Sequence, residues 1–261
     1  MKILLATYWE LPHLGGVWPL MLQLKQSLEA RGHEVDILGN SDQAYHMLFQ
    51  NRYFYKQQVL PLLMSKLTRT NLGVSHWITT TEANRCAMEL AAVYFGLEKY
   101  DLIHTHDALS SRALYRVKPS NTPLVASLHG SLAREIMLIV KSSQDAAHQQ
   151  QTINLWKYYR AIEYHGVLSS NKTVVSSHWL RNILVDEYGI PDKKVTVFPY
   201  GMDIPEFCQR MQEPITIKRP PDKKVIIFTG RLVYLKGLDF LLYALARLKK
   251  SRQDWVCWVV G

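Results

Sequence analysis

The sequence predicts an α/β protein in which a parallel sheet carries helices on both faces and one further β-α-β unit follows. Short apolar runs alternate with stretches whose apolar residues recur at helical spacing, a pattern typical of parallel strands joined by crossover helices. The chain has 261 residues, of which 48% are hydrophobic, enough for one large or two small domains. No apolar run approaches about 18 residues, so no transmembrane helix is expected.

The predicted elements of the larger part of the chain follow one another at the spacing of such a fold. Ligands of these sheets bind beyond the carboxyl ends of the strands, so residues that follow a strand are the first candidates for a site. Helices are expected to end near Gly32 and Gly96. The expected strands are residues 3–6, 35–38, 101–104, 124–128, 173–175 and 195–198, and the expected helices are residues 19–31, 81–94, 152–165 and 178–188.

Residues 42–74 are less regular and combine basic side chains with aromatic and aliphatic ones. Such an amphipathic segment can lie on a membrane surface. It can equally be a helix that packs on its own sheet and turns its charges to water. The basic and aromatic members are Arg52, Lys56, Lys66, Arg69, Tyr53, Phe54 and Tyr55.

The positive charge is concentrated at the end of the chain. The formal net charge is +9, and the stretch from Thr216 onward holds ten Lys and Arg residues against three Asp and Glu residues. This asymmetry, together with the lack of a platform of basic and aromatic residues for stacking bases, argues against nucleic-acid binding.

Composition also marks the expected domain limits. Prolines and basic residues crowd residues 213–224, which predicts a linker at 215–224 between a domain at 1–214 and a second domain at 225–261. The second domain is expected to hold strands at 225–228 and 256–260 around a helix at 237–250. Because one β-α-β unit has too few strands for an independent sheet, we expect this chain to carry only the start of its second domain.

The three cysteines, Cys86, Cys208 and Cys257, are far apart and follow no metal-ligand spacing. No disulfide framework is therefore expected, and a reducing cytosol fits best.

Gly15 and Gly16 stand where the first strand passes into the first helix. A helix N-terminus offers unpaired N–H groups and a partial positive charge, and glycine lets a ligand approach that backbone closely. A tight turn that needs a positive φ is the alternative explanation. The pair does not form the G-x-G-x-x-G fingerprint, so a nicotinamide cofactor is disfavoured.

Histidines follow two consecutive parallel strands. His104 and His106 come at the end of one strand and His129 at the end of the next, so their rings share one cleft if the strands are adjacent. Histidine there can bond to hydroxyl groups or stabilise developing charge. Asp107 could add a third ligand for a metal, but the spacing alone is weak evidence.

A third candidate lies in the second domain. Arg231 and Lys236 both belong to the turn between its first strand and its helix. Two cations beside a helix N-terminus suit a diphosphate group.

These motifs together resemble the retaining glycosyltransferases of sequence family four, whose GT-B fold has two Rossmann-like domains. The resemblance rests on Gly15-Gly16, on the strand that leads from Asp101 to His106, and on His129. It also rests on the run from Tyr188 to Asp203 and on the turn from Gly230 to Gly237. It spans the chain nearly from end to end.

The resemblance implies transfer of a sugar from a nucleotide-diphosphate sugar to an acceptor with retained configuration, by a hexosyltransferase-type enzyme without metal or other cofactor. Arg231 and Lys236 would stabilise the departing diphosphate, and His129 would contact the transferred sugar near the reacting carbon. Gly16, with Gly15, would bring N–H groups near the donor phosphate or the acceptor, and His106 would line the acceptor side. The implied acceptor is a sugar, a lipid-linked molecule or another small molecule.

The resemblance also bears on completeness and location. The family carries two glutamates eight positions apart in its second domain, and this chain ends before such a pair. We therefore expect a fragment with little activity alone, in a cytoplasmic protein that touches the inner membrane face if residues 42–74 lie on a membrane.

Two other functional classes are weighed against this one. A non-catalytic carbohydrate- or partner-binding module of the same fold would bind sugars and ignore nucleoside diphosphates. A nicotinamide-dependent enzyme needs an acidic residue at the end of the second strand, where Leu38, Gly39 and Asn40 stand instead.

Overall fold

The computed structural model describes residues 1–13, 15–70, 75–142, 152–214 and 217–261 of the chain. By backbone packing the chain divides into an N-terminal unit, Met1–Pro199, and a C-terminal unit, Tyr200–Gly261. The predicted domain limits, 1–214 and 225–261 around a linker at 215–224, stay a prediction, and residues 215–216 of that linker lie outside the described residues.

The N-terminal unit is built on an eight-stranded sheet of order β4-β3-β2-β1-β5-β6-β7-β8. Six of these strands run parallel, and the edge strands β3 and β4 are antiparallel. The strands are β1 (Lys2–Glu10), β2 (Glu34–Asn40), β3 (Ala44–Leu48), β4 (Arg52–Tyr55), β5 (Leu102–Thr105), β6 (Leu124–Leu128), β7 (Lys172–Val175) and β8 (Val195–Val197).

The helices of this unit cover both faces of the sheet, as predicted. Along β1, Leu4 and Ala6 face one core cluster, while Ile3 and Leu5 face another that includes Met21. This alternation follows from the two-residue period of a strand. The helices are α1 (Val17–Glu29), α2 (Leu60–Thr68), α3 (His76–Phe95), α4 (Ala108–Val117), α5 (Leu132–Ser142), α6 (Thr152–Ser169) and α7 (His178–Asn182), the last continued by a π turn at Ile183–Glu187.

The residues from 42 onward add two antiparallel edge strands to the predicted parallel sheet. They form the β3–β4 hairpin, a 3-10 turn at Lys56–Gln58 and then α2. Leu60 and Leu63 pack against the core, which is the arrangement of a helix on its own sheet, whereas Leu62 is 60% exposed. Residues 71–74 of the predicted segment lie outside the described residues.

Helices α4 and α6 pack against each other in close contact. A Cβ on Gly166 of α6 would stand 2.5 Å from the carbonyl oxygen of Ala108 on α4, so only glycine lets the two helices approach this far. Asp107 caps α4 by accepting a hydrogen bond from the Ser110 N–H at 2.7 Å.

The C-terminal unit contains the predicted β-α-β arrangement. Strands β9 (Lys224–Thr229) and β10 (Trp255–Val260) are parallel, with Val225 opposite Val256, and α9 (Leu238–Leu248) connects them. A short helix, α8 (Ile204–Arg210), precedes them, and the sequence analysis did not predict it. Across the described residues of both units, no helix combines the length and apolarity that crossing a membrane requires.

Candidate functional site

Three histidines lie side by side at the carboxyl edge of the main sheet. Strands β5 and β6 are adjacent and parallel, with Thr105 opposite Ala126, so the residues that follow them lie close together. The rings of His106 and His129 stack with centroids 5.5 Å apart and planes 10° apart. The His104 ring also stacks on the His106 ring, with centroids 4.6 Å apart.

Hydrogen bonds tie these rings to each other and to the sheet. Nδ1 of His106 lies 3.2 Å from Nε2 of His129, so one of the two nitrogens carries the shared proton. Nε2 of His104 lies 2.8 Å from the Ser127 hydroxyl. Nε2 of His106 is buried and has no hydrogen-bond partner within the described parts of the chain.

Burial keeps the cluster neutral at physiological pH. Desolvation lowers the pKa of His104 and of His129 to about 4. The pKa of His106, which is only 3% exposed, falls well below its usual value because of burial and then of its two histidine neighbours. A neutral imidazole can both donate and accept, so His129, the half-buried outer member, is suited to bonding a ligand hydroxyl.

Asp107 is engaged in the fold rather than turned toward the histidines. Its carboxylate accepts from the Tyr8 N–H at 2.7 Å and from the Thr7 hydroxyl at 2.9 Å, in addition to capping α4. The weak possibility that Asp107 completes a metal site with the histidines is therefore not supported by its bonds. Within the described ranges, no group of three or more His, Cys, Asp or Glu residues is placed to hold a metal ion.

The glycine pair opens α1 at the same edge of the sheet. Gly16 is the N-cap residue at φ −66°, and neither glycine has a positive φ, so the tight-turn explanation fails. A Cβ on Gly16 would meet no atom within 4 Å, whereas one on Gly15 would stand 2.8 Å from the His13 ring. Among the described residues, no side chain caps this helix and its first turn holds no acidic residue, so the positive end of the helix is not neutralised there.

The connection that follows His129 is fixed by a buried glutamate that the sequence analysis did not single out. Glu163 on α6 is fully buried and accepts from the Leu132 N–H at 3.0 Å and from the Ser131 hydroxyl at 3.1 Å. The Tyr188 hydroxyl lies 3.1 Å from the same carboxyl. Glu163 thus caps α5 from a neighbouring helix, and desolvation raises its pKa to about 7.

A signal for Glu163 was present in the sequence. Leu155, Tyr159, Ile162 and Gly166 recur at helical spacing and mark the buried face of α6, and Glu163 falls on that face. A buried carboxyl group needs partners, so a glutamate at such a position indicates a specific hydrogen-bonding role.

A cavity of about 940 Å³ opens directly beside His129. Residues of α5, α6 and α7 line it. Its walls include Met137, Leu138, Ile153, Trp156 and Trp179. The site edge of the N-terminal unit therefore combines a polar histidine cluster with an adjoining apolar cavity.

In the C-terminal unit, the two predicted cations stand on the connection from β9 to α9. The side-chain carbons of Lys236 lie close to Gly230, whose φ is 154°. Gly237 is the N-cap residue of α9, at φ 66°. Arg231 and Lys236 are both exposed, and neither forms an ion pair with any residue of the described chain. The predicted site residues therefore fall into two sets, with the glycines and histidines in the N-terminal unit and the cations in the C-terminal unit.

Comparison with known proteins gives relatives along the whole chain. It is 26% identical over 259 residues to an uncharacterized glycosyltransferase of Methanocaldococcus jannaschii, which covers 95% of this chain and 60% of the relative. It is 30% identical over 164 residues to a D-inositol 3-phosphate glycosyltransferase of Jonesia denitrificans, covering 59% of this chain and 36% of the relative. A third relative, an MMP alpha-(1->4)-mannosyltransferase of Mycolicibacterium hassiacum, is 22% identical over 97% of this chain and 62% of its own length.

The chain thus spans less than two thirds of the length of these curated relatives. Residues 209–261 match the sequence model described as glycosyl transferases group 1. Residues 14–206, most of the N-terminal unit with its glycine pair and histidine cluster, match the model of Glycosyltransferase Family 4. The chain therefore belongs to Glycosyltransferase Family 4.

Proposed function

We propose that the protein transfers a hexosyl group from a nucleotide-diphosphate sugar to an acceptor hydroxyl with retention of the anomeric configuration. The bond from the anomeric carbon to the diphosphate oxygen breaks, and the bond to the acceptor oxygen forms. The acceptor proton leaves with the nucleoside diphosphate. The observation that carries the proposal is the neutral His106–His129 pair at the carboxyl edge of the sheet, the edge at which α1 also begins with Gly16 as its N-cap residue.

The N-terminal unit supplies groups that bind uncharged and anionic parts of the substrates. His129 bonds a hydroxyl of the transferred sugar near the reacting carbon, and its ring is held in place by His106. The N–H groups at Gly16, with Gly15 leaving the approach clear, receive a donor phosphate or an acceptor oxygen. The His106 ring is almost wholly buried, so it acts on the acceptor side through its contact with His129.

The C-terminal unit supplies the positive charge. Arg231 and Lys236 neutralise the diphosphate as it departs, which stabilises the leaving group in the transition state. Their exposed position on one strand-to-helix connection supports this role, because both can reach the same anion without first breaking an ion pair.

The proposed reaction needs no resident metal or cofactor, and the nucleotide sugar acts as a substrate. Two of the three relatives are named as a D-inositol 3-phosphate glycosyltransferase and an MMP alpha-(1->4)-mannosyltransferase, which supports a sugar or a sugar-like acceptor here. Cys86, Cys208 and Cys257 are all free, which supports a cytoplasmic location.

A panel of nucleotide-diphosphate sugars incubated with the protein and with candidate acceptors tests the proposal. We expect release of nucleoside diphosphate that depends on acceptor, and a product whose anomeric proton shows the donor's configuration by NMR. Calorimetric titration with nucleoside diphosphates and with free sugars separates this from a non-catalytic carbohydrate-binding module. Binding of sugars with no response to any diphosphate would overturn the transferase proposal.

A further inference from the structure

The backbone that carries His129 is a short connection between two held points. Leu128 ends β6 and lies opposite Val175 of β7 in the parallel register, which holds the strand side. On the other side, Ser131 directly precedes α5 and is almost fully buried. His129 and Gly130 lie between these points, and glycine has the widest choice of backbone conformations. The direction of the His129 ring therefore depends on how firmly Ser131 is held.

The hold on Ser131 comes from Glu163, on the neighbouring helix α6. A serine just before a helix commonly accepts a hydrogen bond from the first helical turn. Here the Ser131 hydroxyl instead donates to Oε2 of Glu163 at 3.1 Å. The Leu132 N–H donates to Oε1 at 3.0 Å, and the Ala133 N–H donates to Oε2 at 3.4 Å. One carboxylate thus fixes three consecutive residues, the first of them two positions after His129.

A fourth donor reaches the same carboxylate from the end of the π turn that follows α7. The Tyr188 hydroxyl donates to Oε2 of Glu163 at 3.1 Å. Tyr188 is itself held, since it is buried and its ring centroid lies 5.0 Å from the Arg160 guanidinium. Tyr188 also begins a run of residues on which the family resemblance rests and to which the proposed function gives no role.

The surroundings of Glu163 suit a carboxylate better than a neutral side chain. Each oxygen accepts from a backbone N–H, so an amide in either orientation would turn its NH₂ group against a donor. Arg134 of α5 and Arg160 of α6 act on Tyr188, whereas no cation pairs with Glu163 among the described residues. Burial without a cation makes this charge costly, and stability alone favours a neutral group. The carboxylate therefore points to a need for accurate placement of the backbone that it bonds.

We propose that Glu163, held by Tyr188, is the positioning residue of the candidate site: it fixes Ser131 and the start of α5, and so sets the direction in which the His129 ring meets a ligand. The effect of this placement on sugar transfer rests on the proposed function, whereas the control of the ring stands on the hydrogen bonds alone. A protonated carboxyl group donates one bond and accepts fewer, so protonation of Glu163 loosens the hold on the connection.

Imidazole NMR of protein labelled with ¹⁵N-histidine tests this placement without any substrate. The His129 signals are assigned by their loss in His129→Ala. We expect them to shift with pH through an inflection near 7, the pKa to which burial raises Glu163, and to lack this step in Glu163→Gln. Glu82→Gln is the matched control and should keep the step. Glu82 is also a buried glutamate bonded to a tyrosine hydroxyl, that of Tyr158 at 2.6 Å.

Tyr188→Phe gives a second test that keeps the carboxyl group, and it decides the question if Glu163→Gln does not fold. The charged form of Glu163 loses one hydrogen bond in this variant, so the inflection of the His129 signals should move to higher pH. An inflection unchanged in Tyr188→Phe, or a step that persists in Glu163→Gln, would overturn the inference.

A double-mutant cycle in the whole protein separates positioning from stability. Glu163→Gln should lower kcat about tenfold, because the His129 ring is displaced. The affinity for nucleoside diphosphate, measured by calorimetry, should not change. In the His129→Ala background the same substitution should have no further effect on kcat, whereas equal losses in both backgrounds would contradict an action through that ring. A wild type that shows the NMR step but no turnover would count against the transferase proposal alone.

Discussion

His106 lies behind His129, with 3.2 Å between Nδ1 of the first ring and Nε2 of the second, and the outer ring alone reaches the surface. The buried ring therefore fixes the orientation of the exposed one, and each proton that His129 offers to a ligand depends on which nitrogen of His106 is protonated. Removing the outer ring should remove the ligand contact while leaving the sheet intact.

His129→Ala is accordingly expected to lower kcat at least about 10²-fold, since a hydrogen bond aimed at the reacting sugar is lost. The circular dichroism spectrum should not change. His165→Ala removes an exposed histidine on α6 and is the matched control, with turnover expected at the wild-type level. Equal turnover in the two variants would show that His129 does not touch the substrate.

The histidine cluster should make the fold sensitive to acid. The pKa of His104 falls from 6.5 to about 4 on folding, so the unfolded chain binds more protons between these values and stability drops as the pH falls through that window. Between pH 7 and pH 5 this one residue should cost about 2 kcal/mol of unfolding free energy. Urea unfolding at pH 7 and at pH 5 measures this effect. The free energy of unfolding of His104→Asn should fall less between the two pH values than that of the wild type. A pH dependence identical to wild type would contradict the burial of this ring.

Glu163 should change the stability of the fold with pH in the direction opposite to His104. Its pKa is raised from 4.5 to about 7, so the folded state holds the proton more tightly and this contribution is lost as the pH rises toward and through 7. Relative to Glu163→Gln, the wild type should gain about 2 kcal/mol of stability on going from pH 7 to pH 5. The comparison uses the same urea titrations, with the exposed Glu98→Gln as control. A Glu163→Gln variant with the wild-type pH profile would show that the carboxyl group does not titrate in this range.

The parallel strands and the strand-end histidines could be predicted from the sequence because each leaves a local signal. Apolar runs specify buried strands, and the residue after a strand needs no tertiary information to be placed at the sheet edge. The β3–β4 hairpin was not predicted from the sequence. Its turn places Phe49 and Asn51 at positive φ, 70° and 52°, without the glycine that usually marks such a turn.

The capping interactions could not be predicted for a different reason. Asp107 was considered as a metal ligand, whereas its carboxylate bonds Thr7 and Tyr8, which lie about a hundred positions earlier in the chain. Glu163 likewise caps a helix that begins more than thirty residues before it. Partners so distant in sequence are set by the packing of the sheet layers. The helical pattern around Glu163 therefore marks its burial but not the groups that it bonds.

The basic segment on α2 gives a test of membrane contact. Leu60 and Leu63 face the core, so we expect that neutralising Lys66 and Arg69 leaves co-sedimentation with phosphatidylserine vesicles unchanged. Lys249→Gln with Lys250→Gln, two exposed lysines of the C-terminal unit, provides a variant of equal net charge. A selective loss of binding in the Lys66 and Arg69 variant would instead establish this segment as a membrane-surface element.

Lys236 offers the sharpest test of the C-terminal unit. Its ammonium group is exposed and unpaired within the described chain, and Gly230 leaves room for its stem. If it faces the departing diphosphate, Lys236→Ala should lower kcat by about 10²-fold or more, because the charge it neutralises develops mainly in the transition state. Lys250→Ala, which removes an exposed lysine shortly after the end of α9, should leave kcat unchanged. The affinity of a nucleoside diphosphate measured by calorimetry should fall in parallel for the first variant only. An unchanged turnover with Lys236→Ala would remove this residue from the reaction and leave Arg231 as the candidate for the leaving-group charge.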